Sequence, residues 1–166
     1  MGICNFQGKS VKKHTAYIKK FVNIIAICML FCCCHSNNAS DSNTSIFSDY
    51  LNKHFNTQIP AESHYYILVP KSGCQGAMIV ILQLFDATNF TVPITVITTN
   101  KPMVTQYLHK DWPVLSDETG DMDFLNLPIG NITVIATKDG KIIDIKHTQK
   151  CDDPPTELLK LLKGEG

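Results

Sequence analysis

His64-Tyr-Tyr-Ile-Leu-Val-Pro-Lys-Ser-Gly-Cys-Gln-Gly-Ala-Met-Ile-Val-Ile-Leu-Gln-Leu-Phe-Asp-Ala87 holds two apolar runs on either side of a turn. The first run, His64 to Val69, is short, aromatic and β-branched, and Pro70 closes it, so it reads as a buried strand. Ser72-Gly-Cys-Gln-Gly-Ala77 is the turn. Met78 to Ala87 is almost wholly apolar, and periodicity alone does not separate helix from strand there. A strand directly after a strand would need a hairpin turn, and Ser72 offers a helix cap instead, so the order read here is strand, turn, helix. That order puts Cys74 in the first turn of a helix. Unpaired backbone N–H groups and the positive end of the helix dipole favour a thiolate at such a place, and the thiolate is the nucleophilic form.

Downstream, Phe90 to Thr99 reads as a second strand, and Lys101 to His109 as a short helix with Pro102 near its first position. Val114-Leu115 is a brief third strand, and Met122 to Leu127 another helical turn. Ile132-Thr-Val-Ile-Ala-Thr137 and Lys141-Ile-Ile-Asp-Ile-Lys146 flank Lys138-Asp-Gly140, and Asp-Gly between two β-rich runs predicts a hairpin. Pro154-Pro155 opens a last helix, where Leu158, Leu159, Leu161 and Leu162 can cover a sheet face. Upstream, Ile46, Phe47, Tyr50, Leu51, His54 and Phe55 recur at helical spacing, which starts an amphipathic helix near Ser45. Strands alternating with helices imply parallel crossovers, and the terminal hairpin adds an antiparallel pair. The expectation is an α/β domain over residues 46–166, a mixed four- or five-stranded sheet with helices on both faces.

The first residues read differently. Lys9 to Lys20 is lysine-rich, Phe21 to Phe31 is apolar, and Cys32-Cys-Cys-His35 follows. Positive, apolar, then small residues is the layout of a secretory signal, and the apolar run is shorter than the ~20 residues a spanning helix needs. The cysteine cluster resembles the processing site of bacterial lipoproteins, in which a cysteine becomes the lipid-bearing first residue. Leu30 and Cys32 ahead of it favour Cys33, with Cys34 and Cys32 as alternatives. An uncleaved anchor or an S-acylated cluster is the competing reading. Residues 1–33 are therefore expected as a lipoprotein signal peptide and residues 34–45, rich in Ser, Asn and Asp, as a flexible tether. Either reading puts the domain outside the cytoplasm on a membrane, where thiols oxidise. Beyond the cluster, only Cys74 and Cys151 remain to pair with each other or with a partner.

Charge narrows the function classes. The chain has no Arg, and five of its 15 Lys precede residue 21. The remainder carries ten Lys against 15 acids, a net charge of −5. Neither an electrostatic footprint for nucleic acid nor a guanidinium fork for nucleotide phosphates is present, and no cofactor is expected.

The order of elements, with Tyr65-Tyr-Ile-Leu-Val-Pro-Lys-Ser-Gly-Cys74-Gln-Gly-Ala77 after the first strand and Thr133-Val-Ile-Ala-Thr-Lys-Asp-Gly140-Lys-Ile-Ile as a closing hairpin, resembles the thioredoxin-like family over residues 64–163. It is also similar to extracytoplasmic lipoproteins of that fold. The resemblance implies thiol–disulfide exchange with Cys74 as nucleophile. Two positions depart from the family: Ala77 stands where a resolving Cys is expected, and Asn131 where a cis-proline precedes the strand facing the motif. A cis bond before Asn131 would cost roughly 3 kcal/mol. In such a fold the last strand runs parallel to the first with one strand between, so Cys151 falls at the same sheet edge as Cys74, about 10 Å away laterally. Bending of the loop Thr148-Gln-Lys-Cys151 would bring the two within the ~7 Å that a disulfide needs, making Cys151 a resolving or disulfide partner. A peroxidase is disfavoured, since the chain lacks the Arg and Thr that the family places around its sulfur. The second reading is a redox-inactive binding or accessory domain of the cell envelope; the partner expected is a protein thiol on the first reading and an envelope protein on the second.

The blander readings concern single residues. Cys74 in a turn also reads as a small core residue. His64 and His147, at strand ends, read as solvated or core histidines, and Trp112 beside Pro113 as packing. Asp117, Glu118, Asp121 and Asp123 lack the sixth-position Gly and closing Glu of an EF-hand, so they read as a solvated loop rather than a calcium site.

Overall fold

A computed structural model describes residues 38–164; the expected signal peptide with Cys32, Cys33 and Cys34, and the first tether residues, lie outside the described residues. The elements in order are α1 (Asn38–Phe55), β1 (His64–Val69), α2 (Gln75–Ala87), β2 (Ile94–Thr98), α3 (Lys101–Tyr107), β3 (Val114–Ser116), a 3₁₀ turn (Asp121–Phe124), β4 (Ile132–Lys138), β5 (Lys141–Thr148) and α4 (Thr156–Leu162). The five strands form one sheet in the order β3-β2-β1-β4-β5. β1, β2 and β3 are parallel, β4 runs against β1, and β5 runs against β4, so β5 is again parallel to β1 with β4 between. This is the thioredoxin-like α/β arrangement expected from the order of elements.

Side-chain alternation across the strands explains the layers. Ile67, Val69, Ile94, Val96, Ile132, Val134 and Ala136 face one way, onto Met78, Ile81, Leu82 and Phe85 of α2 and Leu158, Leu161 and Leu162 of α4. Met103 and Val104 of α3 join that face. Tyr66, Leu68, Ile97, Ile135 and Ile142 face the other way, onto Phe47, Tyr50 and Leu51 of α1. The apolar run Met78 to Ala87 is thus helical, and its unbroken apolarity follows from a position against the centre of the sheet. Val80, on its outer side, is 61% exposed. The hairpin turns at Asp139 (φ 52°) and Gly140 (φ 72°), both left-handed as a two-residue turn between twisted strands requires.

Three details differ from the expectation. β2 begins at Ile94 rather than Phe90, because Pro93 has no N–H to give a ladder and contributes only its carbonyl, to the Tyr65 N–H (3.0 Å). Ser72 does not cap α2: Cys74 is the N-cap residue, without a side-chain cap bond, and the Ser72 hydroxyl donates to Asp123 Oδ1 (3.2 Å). The third is a correction at the N-terminus. Residues 38–45, expected as tether, are the first turns of α1. Their small polar side chains grip the edge strand: Ser40 Oγ donates to the Ile142 carbonyl (2.9 Å), and the Ile142 N–H donates to Thr44 Oγ1 (3.0 Å). Composition reads as unburiable because these residues bury little; they are held by an edge that needs hydrogen-bond partners.

Candidate functional site

The site follows from strand direction. β1 and β5 both end at the same edge of the sheet, and β4, running the other way, enters between them. Three chain segments therefore meet there: the turn after Val69, the corner before Ile132 and the loop after Thr148. Cys74 is on the first, Asn131 on the second and Cys151 on the third.

Cys74 and Cys151 are joined by a disulfide, with Cα atoms 5.6 Å apart across 77 positions of sequence. Cys74 is half-buried in extended conformation (φ −70°, ψ 106°) at the N-cap of the 13-residue α2, and Cys151 is exposed. The bridge therefore lies at the surface, at the carboxyl ends of the parallel strands where α/β sheets place their ligands.

Backbone hydrogen bonds shape the Cys151 loop. Asp153 Oδ2 accepts from the Gln149 N–H and the Lys150 N–H, both at 2.8 Å, and the Asp153 N–H returns to the Lys150 carbonyl (3.3 Å). Those N–H donors, Lys150 first, hold the Asp153 carboxyl below its ordinary value. Cys151 is thus carried on a closed turn.

The two segments are also joined through Asn131, which is buried. Its Oδ1 accepts from the Cys74 N–H (2.7 Å), its Nδ2 donates to the Gln149 carbonyl (3.1 Å), and its own N–H donates to the Thr148 carbonyl (2.6 Å). Neighbouring glycines make the approach feasible. A Cβ on Gly130 would overlap the Thr148 carbonyl oxygen, and one on Gly73 would lie 3.0 Å from the Asn131 carbonyl oxygen. No cis peptide bond occurs among the described residues, so Asn131 is trans where the resemblance called for a cis-proline.

The other residues singled out in the sequence have separate positions. His147 is near the site, but its Nε2 takes the Gln149 side-chain N–H (3.0 Å). His64 is at the opposite end of β1, with Nε2 2.9 Å from Thr95 Oγ1, and burial lowers its pKa. Trp112 packs beside Phe90 with ring centroids 5.9 Å apart. Among the acids after β3, Asp117 corrects the solvated-loop reading. It is 1% exposed, and accepts from Tyr50 Oη (3.0 Å), Thr119 Oγ1 (2.8 Å), the Gly120 N–H (3.0 Å) and the Met122 N–H (2.8 Å). Burial pushes its carboxyl up, but those donors together hold it below the ordinary range. Tyr50 moves the other way: burial, then the Asp117 charge, raises its phenol well above its ordinary value of 10.0. Asp121 instead meets Lys53 Nζ (2.7 Å) and His54 Nε2 (3.1 Å) at the surface. Among the described residues no group of three or more His, Cys, Asp or Glu could hold a metal ion.

Sequence reasoning singled out both cysteines but read Asn131 only as a missing proline and Asp117 only as solvated. The signal for Asn131 was its place: the residue before a strand lying between two strands that run the other way. Nothing comparable marked Asp117, whose partners come from α1 and from its own loop.

No protein-family model matches the chain, and no curated protein matches it.

Proposed function

We propose that this chain is a membrane-tethered, thioredoxin-like thiol–disulfide exchange protein whose reacting pair is Cys74 and Cys151. The observation that carries the reading is the surface disulfide at the start of α2, with Cys151 exposed and Cys74 half-buried. A bridge there can be reached by an attacking thiolate, and access is one of the determinants of exchange rate. In the reduced protein the Cys74 thiolate, favoured by the free N–H groups of the first turn of α2, attacks one sulfur of a client disulfide. A mixed disulfide forms and one client thiolate leaves. Cys151, as thiolate, then attacks the Cys74 sulfur, the bridge closes, and the second client thiolate is released. A client disulfide and a protein dithiol have become a client dithiol and a protein disulfide, and the reverse sequence oxidises a client. Cys151 thereby supplies the resolving thiol that Ala77 cannot.

The extracytoplasmic, lipid-held location is part of the same proposal and rests on the lysine-rich, apolar and cysteine-cluster order of residues 9–34. Among the described residues no helix is long and apolar enough to cross a membrane. Metabolic labelling with a radioactive fatty acid tests the anchor: Cys33→Ser removes the label if Cys33 is the acylated residue, and no label on the wild type excludes it.

A second reading keeps the fold and makes the bridge purely structural, in a redox-silent binding domain. The bridge spans 77 positions, which favours a role in stability. One experiment separates the two. After reduction, the rate of Cys74 alkylation is followed against pH, and turnover of a protein disulfide is measured for wild type, Cys74→Ser and Cys151→Ser. Exchange predicts a Cys74 thiol titrating below the ~8.5 of a free cysteine, no turnover in Cys74→Ser, and a trapped mixed disulfide in Cys151→Ser. A thiol titrating at ~8.5 or above with no turnover by the wild type would leave the structural bridge.

A further inference from the structure

Three of the hydrogen-bonding groups of Asn131 reach the two segments that carry the cysteines. Its backbone N–H and Nδ2 go to the carbonyls of Thr148 and Gln149, and its Oδ1 takes the N–H of Cys74 itself. It is 7% exposed, so losing these bonds leaves its polar groups little access to water in their place. Gly130 on one side and Gly73 on the other are packed too closely to accept a Cβ without movement, which presses the cysteine segments against this corner.

We propose that Asn131 is a positioning residue for the Cys74–Cys151 pair, holding the helix start and the Cys151 loop at bonding distance whether the bridge is open or closed. This rests on the thiol-exchange reading and adds to it the reason why two cysteines 77 positions apart resolve like neighbours. In the dithiol state the side-chain amide stays bonded to both segments and must itself order the Cys151 loop, which the closed bridge has already ordered, so its bonds favour the closed form. The two thiols stay at a high effective concentration and ring closure outruns loss of the mixed disulfide.

The test is the equilibrium of folded protein with glutathione, quenched by alkylation and counted by mass spectrometry. Two glutathione thiols reduce one protein disulfide to two thiols and leave as one glutathione disulfide, two electrons and two protons passing to the protein. The constant for the reverse exchange, in which glutathione disulfide closes the bridge and leaves as two glutathione thiols, is the effective concentration of the protein thiols. Asn131→Ala is expected to lower it about ten-fold, through loss of both side-chain bonds, while Asn126→Ala on the exposed loop before β4 leaves it unchanged. A residue that merely supported the fold would weaken the oxidised and reduced forms alike, so an unchanged constant in Asn131→Ala overturns the proposal. If that variant does not fold, Asn131→Ser, with a hydroxyl too short to span both segments, gives the same reading: a drop supports the role and wild-type behaviour overturns it. The exchange reading fails in a different way, by a wild type that equilibrates with glutathione and turns over no protein disulfide.

Discussion

At the scale of single residues, Asp117 shows how a carboxylate is kept charged in a core. Burial alone would raise its pKa, and four donors from two directions reverse the sign. Asp117→Asn turns one acceptor oxygen into an N–H₂ group facing donors that already point inward. We expect a loss of about 2–3 kcal/mol, measured by urea unfolding. Asp121→Asn, at a surface pair with Lys53, should move the urea midpoint far less than Asp117→Asn does. The pH dependence has a definite sign. A folded pKa below the ordinary 3.8 means that Asp117 contributes its full stability above that value. The contribution is lost as the pH falls through the depressed folded value, and the Asn variant should show a flatter acid limb. Equal acid limbs in the two proteins would count against a charged Asp117.

Among the elements, α1 is where composition and structure part. The apolar stripe Phe47, Tyr50, Leu51 sets the face that α1 buries, and burying each such side chain is worth roughly 1.5–3 kcal/mol. Its first two turns carry no comparable stripe, and stay helical because Ser40 and Thr44 satisfy the outer groups of β5 at Ile142. A chain truncated to begin at Ser45 should therefore be about 1–2 kcal/mol less stable than one beginning at Asn38, with faster amide exchange at Ile142. Identical stabilities and exchange rates would mean that these turns contribute nothing. The β4–β5 hairpin is the opposite case. Asp139-Gly140 dictates the turn locally, while the irregularity between Ala136 and Thr137, which leaves Ile143 62% exposed, carries no local signal.

For the whole molecule, the disulfide closes a loop that contains most of the sheet. In the chain-entropy view a closure of 77 positions is worth about 4.5 kcal/mol, so reduction should lower the stability by that order. The double variant Cys74→Ser/Cys151→Ser should match the reduced protein in urea unfolding. A difference well below ~1 kcal/mol between oxidised and reduced protein would show that the bridge strains the native state as much as it restrains the unfolded one. With two packed faces, α1 on one side and α2, α3 and α4 on the other, the reduced protein is expected to remain folded. Under the exchange proposal, that condition is what would let the same bridge open and close.

Local chemistry was legible in the chain itself. The apolar runs and their spacing specified strand, helix and hairpin, the closing Asp-Gly specified the last turn, and strand–helix alternation specified a mixed sheet. Those features depend on neighbours a few positions apart, and a side chain's period along the backbone records them. The tertiary structure alone decided that Cys74 and Cys151 close to a Cα separation of 5.6 Å, that Asn131 bridges their segments, and that Asp117 is buried beneath Tyr50. Each of these joins residues tens of positions apart. Hydrogen bonds and disulfides form where strand directions and packed faces bring groups within about 3–6 Å, and no period along the chain carries that distance.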